Sequence, residues 1–303
     1  MGLWTYDDTS RRESLLSILR DLSPTADNYL VTNLGIGGPA MNTYHEWTVR
    51  RITRPTATNF AVEGQEFTEP AGDAPTRSGN ITAPINRFVK VSGTEEAVDR
   101  ATKGSAMDDE KKVKLMRLKA DMEFAILNGA AASGASGTAR GMNGINTVIS
   151  TNLTARASGT SMSTTELEDI HQNSWDAVGS EFVADVLLCP MGIKRKIATL
   201  TTRVQNQANS TDRIYANVEV YETSSGLIKV VPHKDVINAT GSTHVYAIRE
   251  DLFRIAFLKG REPKYKPLAA TGDHEKGLYN TELTLESLGQ AASVKRYGYA
   301  LNG

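Results

Sequence analysis

One uninterrupted helical pattern, residues 105–128, constrains the fold of this chain more than any other feature. Ser105 is a good N-cap, and Asp108, Asp109 and Glu110 suit the positive end of a helix dipole. Asn128-Gly129 supplies the stop, because glycine takes the left-handed terminal conformation readily. Leu115, Leu118, Met122 and Ile126 follow one face, and Val113, Met116, Ala120, Phe124 and Leu127 an adjoining one. Two neighbouring apolar stripes predict packing over a broad arc, so the helix is expected to serve as a structural spine. The basic run Lys111, Lys112, Lys114, Arg117, Lys119 reads as a solvated face. No cluster of catalytic residues lies near either end.

What precedes the helix buries little. The first 45 residues read as an arm: an amphipathic helix over residues 11–21, with Leu15, Leu16, Ile18 and Leu19, stops before Ser23-Pro24. Polar, glycine-rich sequence follows, through TNLGIGGPAMN, and such a segment needs a surface to lie on. A strand-like run, EWTVRRIT, carries Trp47, Val49 and Ile52; a second, INRFVKVS, carries Ile85, Phe88 and Val91. The connection between them is rich in Gly, Pro and charge. Connections of this length are functional or projecting. The two runs are expected to form a two-stranded ribbon, marginal alone in water and stabilised from outside its own subunit.

After the helix, residues 129–144 (GAAASGASGTARGMNG) read as a small-residue hinge or surface loop. STTELEDIHQNSWDAVG predicts a helix capped by Ser163 or Thr164, ADVLLCP a short buried strand, and MGIKRKIATL a further helix. ANVEVYET and LIKVVPH predict a hairpin turning at Ser225-Gly226. THVYAI, LFRIAFL, NTELTLESL and SVKRYGYAL complete the chain as strands. The class is α+β.

Charge and motifs exclude several functions. The formal net charge of −1 gives no basic field for a dedicated nucleic-acid binder, though it allows a protein that merely encloses DNA. The single cysteine, Cys189, permits no intramolecular disulfide and reads as a buried thiol. The five histidines are scattered, so no metal site is expected, and neither a nucleophile elbow nor a phosphate loop occurs. Gly35-Ile36-Gly37-Gly38-Pro39-Ala40 fits G-x-G-x-x-A formally, but lacks a helix after it and an acid at the required distance. A flexible arm is the expected account. Carboxylate pairs such as Glu166 with Glu168-Asp169, or Glu95-Glu96, are what helix surfaces supply freely, and GDHEKG reads as a solvated turn rather than a calcium loop. No catalytic residue and no cofactor is expected. No stretch has the length of a membrane span or a signal-peptide core, so synthesis in a reducing cytoplasm is expected.

The order of parts resembles the major capsid protein of tailed bacteriophages, with the Hong Kong 97-type fold. The runs that carry the resemblance are SPTADNYL at Ser23, HEWTVRRIT at His45, FVKVSGTEEAV at Phe88 and DMEFAILNG at the helix end. VEVYETSSGLIKVV at Val218 and AATGDHEKGLYNTELTLESLGQAA belong to the same set, which resembles a branch of major head proteins known as a domain of unknown function in many phages. The resemblance implies an N-terminal arm (1–46) and an extended loop (47–92). It implies a peripheral domain (93–133 and 244–290, spine 105–128) and an axial domain (134–243 and 291–303). Copies would form pentamers and hexamers of an icosahedral shell around double-stranded DNA contacted non-specifically, with separate scaffolding, portal and decoration proteins as further partners. Assembly would take place in the bacterial host cytoplasm and the product would be the virion. No enzymatic activity is implied. A covalent crosslink would need a matched lysine and asparagine; Lys90 and Asn302 could be proposed, but nothing in the sequence identifies such a pair, and non-covalent assembly is expected. Trp47, Phe60, Val62, Phe67, Pro70 and Phe88 are the expected assembly contacts, since apolar groups on a ribbon give a neighbour something to cover. The alternatives are an encapsulin-like cellular shell and, from another class, a glycan-active enzyme or adhesin using surface carboxylates.

Overall fold

The computed structural model describes residues 28–52, 58, 60, 62–66, 72–98, 104–200, 220–224, 226–236 and 243–300. The expected helix at 11–21, Phe67, Pro70, Ser225 and Asn302 lie outside them. In chain order the first half comprises α1 (Tyr29–Asn33), β1 (Gly35–Ile36), β2 (Tyr44–Val49), β3 (Thr76–Ile81), β4 (Ala83–Ser92), α2 (Gly93–Ala97), α3 (Ala106–Asn128), α4 (Ile145–Val148) and β5 (Leu153–Thr160). The second half comprises α5 (Thr164–Val178), β6 (Val186–Cys189), α6 (Met191–Leu200), β7 (Val220–Thr223), β8 (Gly226–Pro232), β9 (Thr243–Ile248), β10 (Phe253–Phe257), β11 (Lys264–Leu268), β12 (His274–Ser287) and β13 (Val294–Tyr299).

The spine helix α3 starts and stops where the sequence predicts. The Ser105 hydroxyl accepts the Asp108 N–H at 3.2 Å. Gly129, however, is not left-handed; its φ is −55°. It is required for a different reason. A Cβ there would stand 2.5 Å from the Ala125 carbonyl oxygen and 2.6 Å from that of Met142, because the chain returns at Gly144, whose N–H donates to Gly129 O at 3.0 Å. Residues 129–144 are therefore a closed excursion, with paired bridges Ala132–Gly141 and Ala135–Thr138, rather than a hinge.

Of the two apolar stripes on α3, the first packs and the second largely does not. Leu118, Met122 and Ile126 are buried, with Leu115 packed against their cluster. From the second stripe Leu127 is buried, while Met116 and Phe124 are exposed. Each fully buried Leu or Ile contributes about 1.5–3 kcal/mol, so the first stripe, with Leu127 and with Ala106 and Met107 against Val89 and Val91, fastens the helix to its sheet.

That sheet has five strands in the order β1-β10-β12-β11, with β4 on the other side of β12. β4 pairs with β12 over ten positions, from Ser92–His274 to Ala83–Leu283. This corrects the ribbon: the run INRFVKVS belongs to the sheet, and the limb that returns to β2 is Thr76–Ile81, in register from Tyr44–Ile81 to Val49–Thr76. The glycine-rich segment is also no loose arm. Gly35 and Ile36 pair in parallel with Arg254 and Ile255, and Ala40 N–H donates to Phe257 O at 2.8 Å.

The second sheet has six strands, β5-β13-β9-β6-β8-β7. Its central strands β6 and β9 are buried on both faces, so the period of two sorts their side chains between two cores. Leu188, Tyr246 and Ile248 face the core shared with α3 and the first sheet. Leu187, Cys189, Val245 and Ala247 face α5 and α6, against Leu167, Ile170, Ile193 and Ile197. β9 thus belongs with the six-stranded sheet through β13 and β6, although the sequence reading grouped nearly all of it with the spine. The crossing between the two sheets falls at residues 249–252.

Candidate assembly surfaces

The ribbon β2–β3 leaves the body through a set of specific contacts. Alternation along β2 turns His45, Trp47 and Val49 inward and Tyr44, Glu46 and Thr48 outward. His45 Nε2 lies 2.6 Å from Glu286 Oε1, and Trp47 Nε1–H donates to Ser287 O at 2.9 Å. Asn80, buried on β3, donates through Nδ2 to Leu285 O (2.9 Å) and Asn143 O (3.0 Å), and its Oδ1 accepts the Asn143 N–H at 2.9 Å. Trp47 therefore anchors the ribbon to its own subunit.

Beyond the root, cover is lost. Phe60 is 90% exposed and Val62 73% exposed. On the outer face of β4, Phe88 is 46% exposed, beside the exposed Lys90. Of the six apolar residues expected at contacts, Phe60, Val62 and Phe88 present open surface, Trp47 is committed inward, and Phe67 and Pro70 lie outside the described residues.

Several buried polar groups hold these parts in place. Glu123 on the spine accepts the N–H groups of Leu30 and Val31 at 2.7 Å each and meets His233 Nε2 at 2.8 Å. One carboxylate thereby joins α1, α3 and the segment after β8. Glu282 accepts from Arg140 (2.6 Å) and from the Thr82 hydroxyl (2.7 Å), tying the 129–144 excursion and the β3–β4 junction to β12. Glu166, at the start of α5, accepts from Arg296 (2.6 Å), Arg156 and Tyr299 (2.7 Å). Burial opposes its ionisation, but the Tyr299 hydroxyl and the two guanidiniums outweigh that and hold its carboxyl below the usual range. The same burial and the bond to Glu166 push the Tyr299 phenol up to about 12. Sequence reading missed Glu123 and Glu282; the one signal was a carboxylate inside an otherwise apolar run, as in MEFAIL and ELTLES.

The remaining reactive groups are engaged separately. His171 is buried, with Nδ1 2.6 Å from Thr223 Oγ1, and burial lowers its pKa. Cys189 is fully buried and its thiol is pushed up to about 12. Among the described residues no three His, Cys, Asp or Glu side chains converge on a point that would hold a metal. The acidic cleft that a glycan-active reading would need is lined by Glu168, Gln172, Trp175, Asp176 and Ser224, and Glu168 there accepts from Ser224 N–H and Oγ–H. Among the described residues no helix is long and apolar enough to cross a membrane.

Solved structures share this architecture. The capsid of Myoviridae phage XM1 superposes with a TM-score of 0.66 at 9% identity, covering 94% of this chain and 96% of that one. Gordonia phage Cozz gives 0.65 at 14%, covering 95% and 91%. The holo-SrpI encapsulin complex from Synechococcus elongatus PCC 7942 gives 0.62 at 10%, covering 97% and 94%. At these identities the likeness establishes the fold, the α+β capsid fold of Hong Kong 97 type that the sequence led us to expect. No curated protein matches the sequence. The family model for the SU10 major capsid protein matches residues 3–298, and over that span the chain belongs to the SU10 major capsid protein family.

Proposed function

We propose that copies of this chain assemble into the icosahedral head of a tailed phage that encloses double-stranded DNA. The observation that carries the proposal is the ribbon: its root is fastened by His45, Trp47 and Asn80, while Phe60 and Val62 stand open beyond it. A subunit that spends so many bonds aiming apolar groups outward supports a role in which a neighbour covers them. In this reading the role is structural and no residue is catalytic. Residues 1–46 are the arm and 47–92 the extended loop, with the pairing of β4 to β12 favouring an end of that loop at about Ile81. Residues 93–133 and 244–290 build the peripheral part, with 134–243 and 291–303 axial, meeting its copies in pentamers and hexamers. The pairing of β9 favours moving the second boundary from 244 to about 249. Phe60, Val62, Phe67, Pro70 and Phe88 are the proposed inter-subunit contacts, with Trp47 as the ribbon's inward anchor. Scaffolding, portal and decoration proteins are the proposed separate partners, DNA is contacted non-specifically, and assembly in the bacterial host cytoplasm yields the virion.

The likeness to an encapsulin favours a second reading, a cellular shell of the same fold. Expression of the full chain, followed by light scattering and negative-stain microscopy, tests the shared core of both. Shells, tubes or ring-shaped capsomers are expected; a stable monomer in the presence of its scaffolding protein overturns them. Co-purifying cargo enzyme would favour the encapsulin reading, and co-assembly with a portal the head.

A further inference from the structure

The part of the first sheet built from β4, β12 and β11 is covered on one face and open on the other. On the covered face Val89 and Val91 pack against Ala106 and Met107 at the start of α3. The strand register sorts the opposite face into rows. Lys90 stands beside Lys276 and Leu268, and in the next row Phe88 stands beside Leu278 and Lys266. Phe88 is 46% exposed, Lys90 and Lys266 are exposed, and the other three are half-buried.

This face carries one sign of charge. Lys90 and Lys276 are direct cross-strand partners, and like charges so placed destabilise a sheet. Burial, and after it the charges of these two lysines, lowers the pKa of the adjacent His274. Among the described residues neither Lys90 nor Lys266 has a carboxylate partner, whereas Lys264, one row on, is paired with Glu262 at 3.0 Å. Glu282, at the end of this face, is taken by Arg140. An apolar middle rimmed by cations is the pattern of a protein-docking surface. A phosphate track would favour arginine and a more polar lining.

The shape of the occupant follows from the sheet. Strands add at an edge, so a sheet face is covered by a helix or by another sheet. From Asn86 to Ser92 the face runs about 20 Å, and its three strands span about 10 Å, the footprint of a helix of about 13 residues. α3 fills that role on the opposite face. The ribbon of a second copy offers Phe60, Val62, Glu63 and Glu66, but these surround a turn. Gln65 N–H donates to Val62 O at 3.0 Å, and Gly64 has a φ of 79°. Such a turn meets one spot of the face and does not run along it.

We propose that the open face of β4, β12 and β11 docks an acidic amphipathic helix of a second protein. The apolar side of that helix lies on Phe88 and Leu278, and its carboxylates meet Lys90, Lys276 and Lys266. The footprint is well short of the about 800 Å² per partner of a stable interface, so one site binds weakly and a surface of many copies binds by avidity. Phe88 is the one residue shared with the contacts proposed between copies, which sets the helix at their margin. Docking is a property of a single subunit's face, so it stands or falls apart from shell closure.

Fluorescence anisotropy on the full chain tests the proposal. The probe is a labelled helical peptide of about 14 residues made of glutamate and leucine, beside the same peptide with lysine for glutamate and a short duplex DNA. The acidic peptide is expected to bind about tenfold tighter than either control. Lys90→Glu is the decisive variant. It sets opposite charges across from each other at Lys276, so the urea midpoint should rise while affinity for the acidic peptide falls about tenfold. Phe88→Ser should weaken the peptide as well, and Lys112→Glu with Lys119→Glu, exposed on α3, should leave it unchanged. Binding of the DNA as tight as that of the acidic peptide, or peptide affinity untouched by Lys90→Glu and Phe88→Ser, overturns the proposal. So does a loss of association between copies in Lys90→Glu with peptide affinity unchanged, which would make a second copy the occupant.

Discussion

The junction at Glu123 yields the most exacting prediction. Its carboxylate uses Oε1 for Leu30 N–H and His233, and Oε2 for Val31 N–H, with the Glu123 and His233 side chains both 1% exposed. Glu123→Gln keeps the volume but turns one acceptor into a donor. Whichever way the amide is rotated, an N–H group then faces another N–H group. One charge-assisted bond is lost, worth about 1.5–3 kcal/mol, and a buried donor is left unpaired for about 1–3 kcal/mol more. Allowing for partial relaxation, a loss of about 3 kcal/mol is expected for the dissociated subunit, out of a total stability of about 5–15 kcal/mol. With a urea slope of about 3 kcal/mol/M for a chain of this size, the midpoint falls by about 1 M. Hydrogen exchange adds a local readout, since the amides of Leu30 and Val31 should lose protection before those of β12. A midpoint within about 0.2 M of the parent, with both amides still protected, would refute the reasoning. A double-mutant cycle with His233→Gln should show coupling, because the two side chains share one bond.

Other perturbations test other parts. Replacing residues 53–72 by a short turn should leave thermal melting of the subunit intact while preventing closed shells by negative stain; a matching fall in melting temperature would show that the ribbon tip belongs to its own core. Leu118→Ala empties a fully buried site on the spine and should cost about 2–5 kcal/mol in chemical denaturation. Gly144→Ala places a methyl group 2.6 Å from Gly129 N and 2.7 Å from Ile126 O, both backbone atoms. A loss of about 1–3 kcal/mol is expected there from overpacking, read by the same assay. Glu166 has a folded pKa below its unfolded value of 4.5, so its contribution is present above that pH and is lost as pH falls toward the folded pKa. Glu166→Gln should therefore be less stable than the parent at pH 6 and should lose less further stability between pH 5 and pH 3 in acid titration followed by circular dichroism.

Burial decided what could be read from the sequence. The spine, the caps at Ser105 and Ser163, and the strands β6, β9 and β10 were all legible because apolar spacing or a cap residue marks each. β3 was not, because TRSGNI pairs only with β2 and packs little, leaving no alternation to detect. β11 escaped for a related reason: KYKPL is an edge strand whose lysines and proline discourage further pairing. The short pairing of Gly35-Ile36 with β10 rests on backbone bonds alone, which side-chain patterns do not record. The second stripe of α3 shows the opposite error, since a helical period reveals which residues are apolar and not what covers them. Among the proposed contact residues, Phe60 and Val62 stand out by their apolar character in a polar connection, and both are exposed. Trp47 was grouped with them because sequence alone does not say which way a strand faces.

The union of β3 and β4 has a mechanical consequence. Only Thr82 separates them; its N–H is held by Thr43 O at 2.8 Å and its hydroxyl by Glu282 at 2.7 Å. The ribbon thus has no joint at its base and tilts with the sheet as one lever. Six residues of strand extend about 20 Å, so a tilt of about 10° at the base carries the end of the paired region sideways by about 3.5 Å. A subunit built this way registers small differences in the local curvature of its surroundings as large displacements at its far tip. Any accommodation between flat and sharply curved settings then has to occur past Val49 and before Thr76, where the pairing ends.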